Sequence, residues 1–141
     1  MKILRNVAGI IIGIFCGALV TFFIERLGHE NLSIYRNVPD MTEEVAFATF
    51  IADLPRIALL ILILAHSIGT LIAGFIASLL TDESRPKAAT AVGVIMLSLG
   101  IINFIDIPSH PVWFQVAEVI IYIPSAILGF RLKLMAKALQ K

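Results

Sequence analysis

Four apolar runs, at residues 7–24, 57–80, 88–107 and 113–134, decide what this chain can become. Each is long enough to cross a hydrocarbon layer of ~30 Å, which takes roughly 17 to 25 helical residues. Inside such a layer every backbone N–H and C=O needs a partner within the protein, so runs of this length read as helices. The 141 residues are 59% hydrophobic and 15% charged, which leaves little chain for a water-soluble domain. The expectation is an all-α integral membrane protein with its partner in the lipid bilayer. It is a single domain over 1–141, folded as a four-helix antiparallel bundle, and the outer loop at 25–54 carries a short amphipathic helix.

The placement of charge predicts the orientation. Lys2, Arg5, Arg85, Lys87, Arg131, Lys133, Lys137 and Lys141 fall on one side of the spans, and only Arg26, Arg36 and Arg56 on the other. Cytoplasmic loops carry the excess of Lys and Arg, so both termini are expected in the cytoplasm of a multi-pass inner-membrane protein. A net charge of +1, with the basic residues at span ends, excludes a patch that could follow nucleic-acid phosphates. The single cysteine, Cys16, excludes an intramolecular disulfide and any Cys-x-x-Cys site, and reads as a small buried apolar group. Lys2 and Arg5 resemble the start of a signal peptide, but the run that follows is long and ends at Thr21–Glu25 without an Ala-x-Ala type cleavage site. An uncleaved helix is expected there.

Small and polar residues on the spans predict how they meet. Gly9, Gly13 and Gly17 share a face of the first helix and allow close approach of a second helix, from this chain, a second copy or another membrane protein. Glu25 and His29, four apart, read as a solvated helix end at the outer surface, with proton exchange or metal binding as the sharper alternative. Asp40, with Glu43 three residues on, reads as the N-cap of a short helix whose Phe47, Phe50, Ile51 and Leu54 face the bundle, more as a buttress than as a lid. In the second span His66 lies ~13 Å deep, counted at 1.5 Å per residue. Thr70, Ala73 and Ala77 share its face, with Gly69 and Gly74 at the flanks. Ala89, Gly93, Met96, Gly100 and Asn103 form a seam on the third span, which Asp106 ends. Pro108–Trp113 reads as a rigid turn with Trp113 as an interfacial anchor, and the fourth span carries Gln115, Glu118, Tyr122, Ser125 and Gly129 on one face.

Depth along the helices sorts these polar groups into layers. Glu118 lies ~7 Å and Asn103 ~6 Å below the outer ends of their spans, and Tyr122 is level with His66. Glu118 is thus expected beside Asn103, with His66 beside Tyr122 or Ser98 one layer below. Glu25, His29, Asp106 and His110 are expected above both layers, as an outer-face set. A charged side chain at a span centre costs roughly 2.5 to 3.5 kcal/mol, which makes an ionisable residue there a functional hypothesis. The sharp reading is a vestibule open to the outside, in which His66, Glu118, Asn103 and Tyr122 bind a small polar or cationic ligand or pass protons. The plain reading is that the same groups hold helices together by hydrogen bonds of about 0.6 kcal/mol each, and the sequence favours it.

Nothing marks an enzyme: no nucleophile elbow, no His-Glu-x-x-His and no Gly-rich phosphate loop is present. No cofactor and no metal is assigned; a metal held by His29, His110 and Asp106 across different elements is geometrically possible. The set Glu25-x-x-Gly28-His29, Leu54-Pro55, His66-x-x-Gly69-Thr70-x-x-x-Gly74, Asn103 and His110-Pro111-x-Trp113-Phe114 resembles a group of small, uncharacterised four-span bacterial membrane proteins. The resemblance implies a bacterial origin and a four-helix topology, and no activity. The leading expectation is an accessory or structural subunit of the inner membrane. A transporter-like or ligand- and proton-binding bundle using His66 and Glu118 is the alternative, and an enzyme comes third.

Overall fold

The computed structural model describes residues 2–81 and 86–139, apart from the side chain of Lys2. The central part of the expected cytoplasmic turn, with Arg85, and the terminal Lys141 lie outside the described residues. Those residues form five α-helices and one short 3-10 helix, with no strand among them: α1 (Lys2–Asn31), the 3-10 helix (Ser33–Asn37), α2 (Glu44–Ala52), α3 (Arg56–Thr81), α4 (Lys87–Asp106) and α5 (Val112–Ala138). α1, α3, α4 and α5 are each long and apolar enough to cross a membrane.

α1 is longer than its apolar run. It has no breaker after Ile24, and Gly28 does not stop it: the Leu32 N–H donates to the Gly28 carbonyl and the Asn31 amide donates to the Leu27 carbonyl. Arg26 and Glu30 pair across one turn at 2.8 Å. Glu25 is therefore an interior helical residue, not a helix end.

α2 forms where expected, but its start is built differently. Asp40 does not cap it; its Oδ1 accepts from the Thr42 N–H at 2.8 Å and from the Thr42 hydroxyl at 2.7 Å, and the helix begins after Glu43 with no side-chain cap. A short acid next to a hydroxyl satisfies its neighbours locally, and that turn competes with the capping box. Ile51 and Leu54 are buried against Ala58, Leu59 and Phe114, with Phe47, Phe50 and Tyr35 of the 3-10 helix around them. The loop helix thus buttresses one end of α3 and α5.

α3 is the element on which α1, α4 and α5 all pack. Its interior is made of small residues, with Ala65, Gly69, Thr70, Ala73, Gly74 and Ala77 buried, while Leu60, Leu64, Leu79 and Leu80 point outward. A Cβ on Gly13 would stand 2.6 Å from the Ala73 carbonyl oxygen, and one on Gly17 would stand 2.7 Å from the Ala73 Cβ. The glycine seam of α1 is thus filled by α3 of the same chain. Gly74 and Gly129 do the same for α3 and α5, where a Cβ on Gly129 would stand 2.6 Å from the Phe75 nitrogen. Small residues let backbones approach until dispersion contacts replace the missing side chains. Large apolar side chains are left on the outside, among them Ile11, Phe15, Phe23, Ile105 and Ile120.

α1 and α5 each contact α3 and α4 but not one another. The gap between them becomes a cavity of about 500 Å³.

Candidate functional site

Three helices place one acid–base chain beside that cavity. His66 projects from the middle of α3, and each of its ring nitrogens meets a carboxylate from a different helix. Nδ1 lies 2.7 Å from Glu118 Oε2 on α5, and Nε2 lies 3.1 Å from Glu25 Oε1 on α1. The Tyr122 hydroxyl, one turn along α5, donates to the same Glu118 Oε2 at 2.7 Å. The His66 and Tyr122 rings lie 5.9 Å apart between centroids. Glu118 is 1% exposed, whereas Glu25 and His66 keep about a quarter of their side chains accessible on the cavity side.

The hydrogen bonds limit where protons sit. Glu118 Oε2 accepts from Tyr122 and faces Nδ1, so a proton carried by Glu118 belongs on Oε1, which is buried and without a hydrogen-bond partner. With Nδ1–H donating to Glu118, Nε2 either donates to an ionised Glu25 or accepts from a protonated one. Both arrangements hold the same number of protons and one net negative charge, and they differ by a shift along a single hydrogen bond. A further proton on Glu118 Oε1 makes the group neutral.

The expected layers are partly rearranged. His66, Glu118 and Tyr122 come together as one cluster, with His66 bonded to Glu118 directly and not one layer below it. Asn103 lines the same cavity but makes no bond to Glu118. Ser98, the alternative neighbour of His66, faces away from the cavity and donates to its own Val94 carbonyl, the usual resort of a helical serine that lacks a better acceptor.

Glu25 is the main correction among the outer-face set. It was expected above the layers and instead completes the cluster, because α1 continues past it and holds it against α3. The sequence carried a signal for this: Gly9, Gly13, Gly17, Thr21 and Glu25 recur at steps of four, and rows of that spacing are the ridges by which helices interdigitate. His29, the next member of the row, is exposed at the cavity rim and packs on Tyr35, with ring centroids 4.1 Å apart and the planes tilted by 37°. Burial and the Glu25 carboxylate push the Tyr35 phenol up from its ordinary value.

His110, in the turn between α4 and α5, is buried and lines the cavity. A carbonyl can only accept, so its Nδ1 carries the hydrogen that reaches the Ile107 oxygen at 2.8 Å, and its ring stacks on Phe114. Asp106 is exposed and lies outside this cavity, in a separate groove beside α2 with Glu44. His29, His110 and Asp106 do not converge, and among the described residues no group of three or more His, Cys, Asp or Glu side chains is placed to hold a metal ion.

Comparison with protein-family models, with curated proteins and with solved structures finds no match for the chain. The functional reading therefore rests on the geometry.

Proposed function

We propose that this protein is an antiparallel four-span bundle of a bacterial inner membrane, with both termini cytoplasmic, that binds and relays protons through Glu25, His66 and Glu118 in a transporter-like role. The observation that carries the reading is His66 held at both nitrogens by carboxylates from two other helices, beside an open cavity. The membrane part is supported by four long apolar helices, by large apolar side chains on the outside and small ones within, and by the bias of Lys and Arg toward one side.

The accessory-subunit reading needs these groups only as glue. Glue satisfies its polar atoms, because a buried acceptor without a partner costs about 1 to 3 kcal/mol. Glu118 keeps its Oε1 unpartnered, and three further titratable groups, Glu25, His66 and Tyr122, stand in the same chain. That is poor economy for a fastener and good design for a proton acceptor.

The test is infrared difference spectroscopy of the protein in lipid nanodiscs across a pH series, paired with dye-reported proton flux in proteoliposomes. A carboxylic-acid band that titrates in the wild type, and disappears together with the flux in Glu118→Gln while circular dichroism stays unchanged, is the expected result. If Glu118→Gln and His66→Ala lower thermal stability but leave titration and flux as they were, the side chains are glue. Co-purification of a stoichiometric membrane partner would then favour the subunit.

A further inference from the structure

The cavity beside the proton chain has walls of its own, and their chemistry selects a ligand. Phe22 of α1, Phe104 of α4 and Phe114 and Tyr122 of α5 line it together with Leu62 and Leu99, and no Lys or Arg is among its described lining residues. Its floor is the Glu25–His66–Glu118 cluster, which carries one net negative charge in the two-proton arrangements. Such walls repel anions. They are also poorly suited to a hard divalent ion, which takes six or more oxygen ligands, and no group of three or more His, Cys, Asp or Glu among the described residues is placed to hold a metal. An organic ammonium needs neither; it needs a carboxylate at one side and aromatic faces around its alkyl groups.

Resting on the proton-binding reading, we propose that this cavity binds an organic monocation with an apolar body, and that the cation and the third proton of the cluster exclude each other. Glu118 Oε1 supplies the second, independent observation: it belongs to a side chain 1% exposed, on the cavity wall, with no hydrogen-bond partner. Oε1 takes the third proton, and the cation's charge is balanced by the net charge of the cluster, whose accessible members on the cavity side are Glu25 and His66. The titratable groups facing this position are Glu25 and His29 from α1, His66 from α3, His110 from the α4–α5 turn, and Glu118 and Tyr122 from α5; α4 contributes only neutral Asn103. A cation entering the neutral, three-proton cluster expels one proton, and a proton entering the occupied site expels the cation. No bond is made or broken beyond that exchange.

The probe is benzyltrimethylammonium, whose charge is permanent, so any proton released on binding comes from the protein. Its uncharged carbon isostere, neopentylbenzene, is the control. Isothermal titration of the wild type in nanodiscs, repeated in two buffers of different ionisation enthalpy, should show binding that weakens as pH falls, with proton release. Loss of the Glu118 charge in Glu118→Gln should weaken the cation by about tenfold or more, as expected for an ion pair in a poorly solvated site. Glu25→Gln, at a more exposed position, should weaken it less, and Glu118→Asp should retain it in part. Equal binding of cation and isostere, or cation binding indifferent to pH and to both Gln variants, overturns the proposal. If the Glu118 infrared band titrates yet the cation does not bind, this inference alone fails; if the band itself is missing, the proton-binding reading fails beneath it.

Discussion

Replacing single glycines by alanine should rank this protein's helix contacts in an order set by what each new methyl would meet. At Gly129 the methyl would lie 2.6 Å from the Phe75 backbone nitrogen, about 0.8 Å inside the 3.4 Å at which ordinary contact begins, and the Leu71 carbonyl oxygen also obstructs it. Backbone cannot rotate out of the way, so α3 and α5 must separate. Overpacking of that kind costs about 1 to 3 kcal/mol, and the change is partly offset by roughly 0.5 to 1 kcal/mol because alanine favours a helix over glycine. Because the methyl meets backbone on two sides, the upper end of that range applies, and the net loss for Gly129→Ala is ~2 kcal/mol. At Gly93 the nearest atom would be the Ile123 Cα at 3.0 Å, so Gly93→Ala should come out near zero. At Gly28 only the Ile61 Cγ2 is close, at 2.8 Å, and a side-chain methyl yields more readily than backbone, so Gly28→Ala should cost less than Gly129→Ala. Unfolding of the three variants in one detergent, followed by circular dichroism, gives the order. The reasoning is refuted if Gly93→Ala or Gly28→Ala loses as much as Gly129→Ala.

Two further outcomes follow from single hydrogen bonds. Tyr122→Phe removes the donor to Glu118, one turn away on the same helix, and should cost about 0.5 to 1.5 kcal/mol, the net worth of a typical intramolecular hydrogen bond. Gly100→Ala places a methyl 2.9 Å from the Tyr122 hydroxyl and should break the same bond, so the two changes combined should cost less than their sum. In the loop before α2, bonds from the Thr42 amide and hydroxyl hold the Asp40 carboxyl below the usual carboxylate range. A depressed value means the turn is favoured above the ordinary carboxylate pKa and lost as pH falls through the depressed one. The Thr42 amide resonance should report that loss only in strongly acidic solution, and Asp40→Ala should abolish the transition.

The helices were legible because apolar runs of membrane length admit few other structures, and the loop helix because Phe47, Phe50, Ile51 and Leu54 repeat at helical spacing. Its cap was not legible: Asp40 has two local competitors for its oxygen, and spacing alone does not say whether a carboxylate bonds the helix N–H or the next threonine. His66, Glu118 and Tyr122 were found because polar groups within apolar runs stand out. Glu25 was assigned to the surface because a carboxylate just past an apolar run marks a helix end in most chains. Only the unbroken continuation of α1, fixed by its packing on α3, brings that residue inward.

That packing gives the site a property no list of polar residues would predict: the two halves of the Glu25–His66–Glu118 chain hang on two different glycine seams. Along α1, Gly13 and Gly17 meet Ala77, Ala73 and Gly69 of α3, and Thr21 then donates to the Ala65 carbonyl at 3.3 Å, one turn before Glu25 reaches His66. A methyl on Gly17 would lie 2.7 Å from the Ala73 Cβ and 3.2 Å from the Gly69 carbonyl carbon, so Gly17→Ala must lift α1 from α3. It should lengthen the 3.1 Å Glu25–His66 contact and leave the 2.7 Å His66–Glu118 contact, which spans α3 and α5. Gly129→Ala should do the reverse. Nitrogen-15 spectra of labelled His66 separate the outcomes, because the first variant perturbs Nε2 and the second Nδ1. If both variants move the same nitrogen, the helices shift as one body, and the seams do not position the two carboxylates independently.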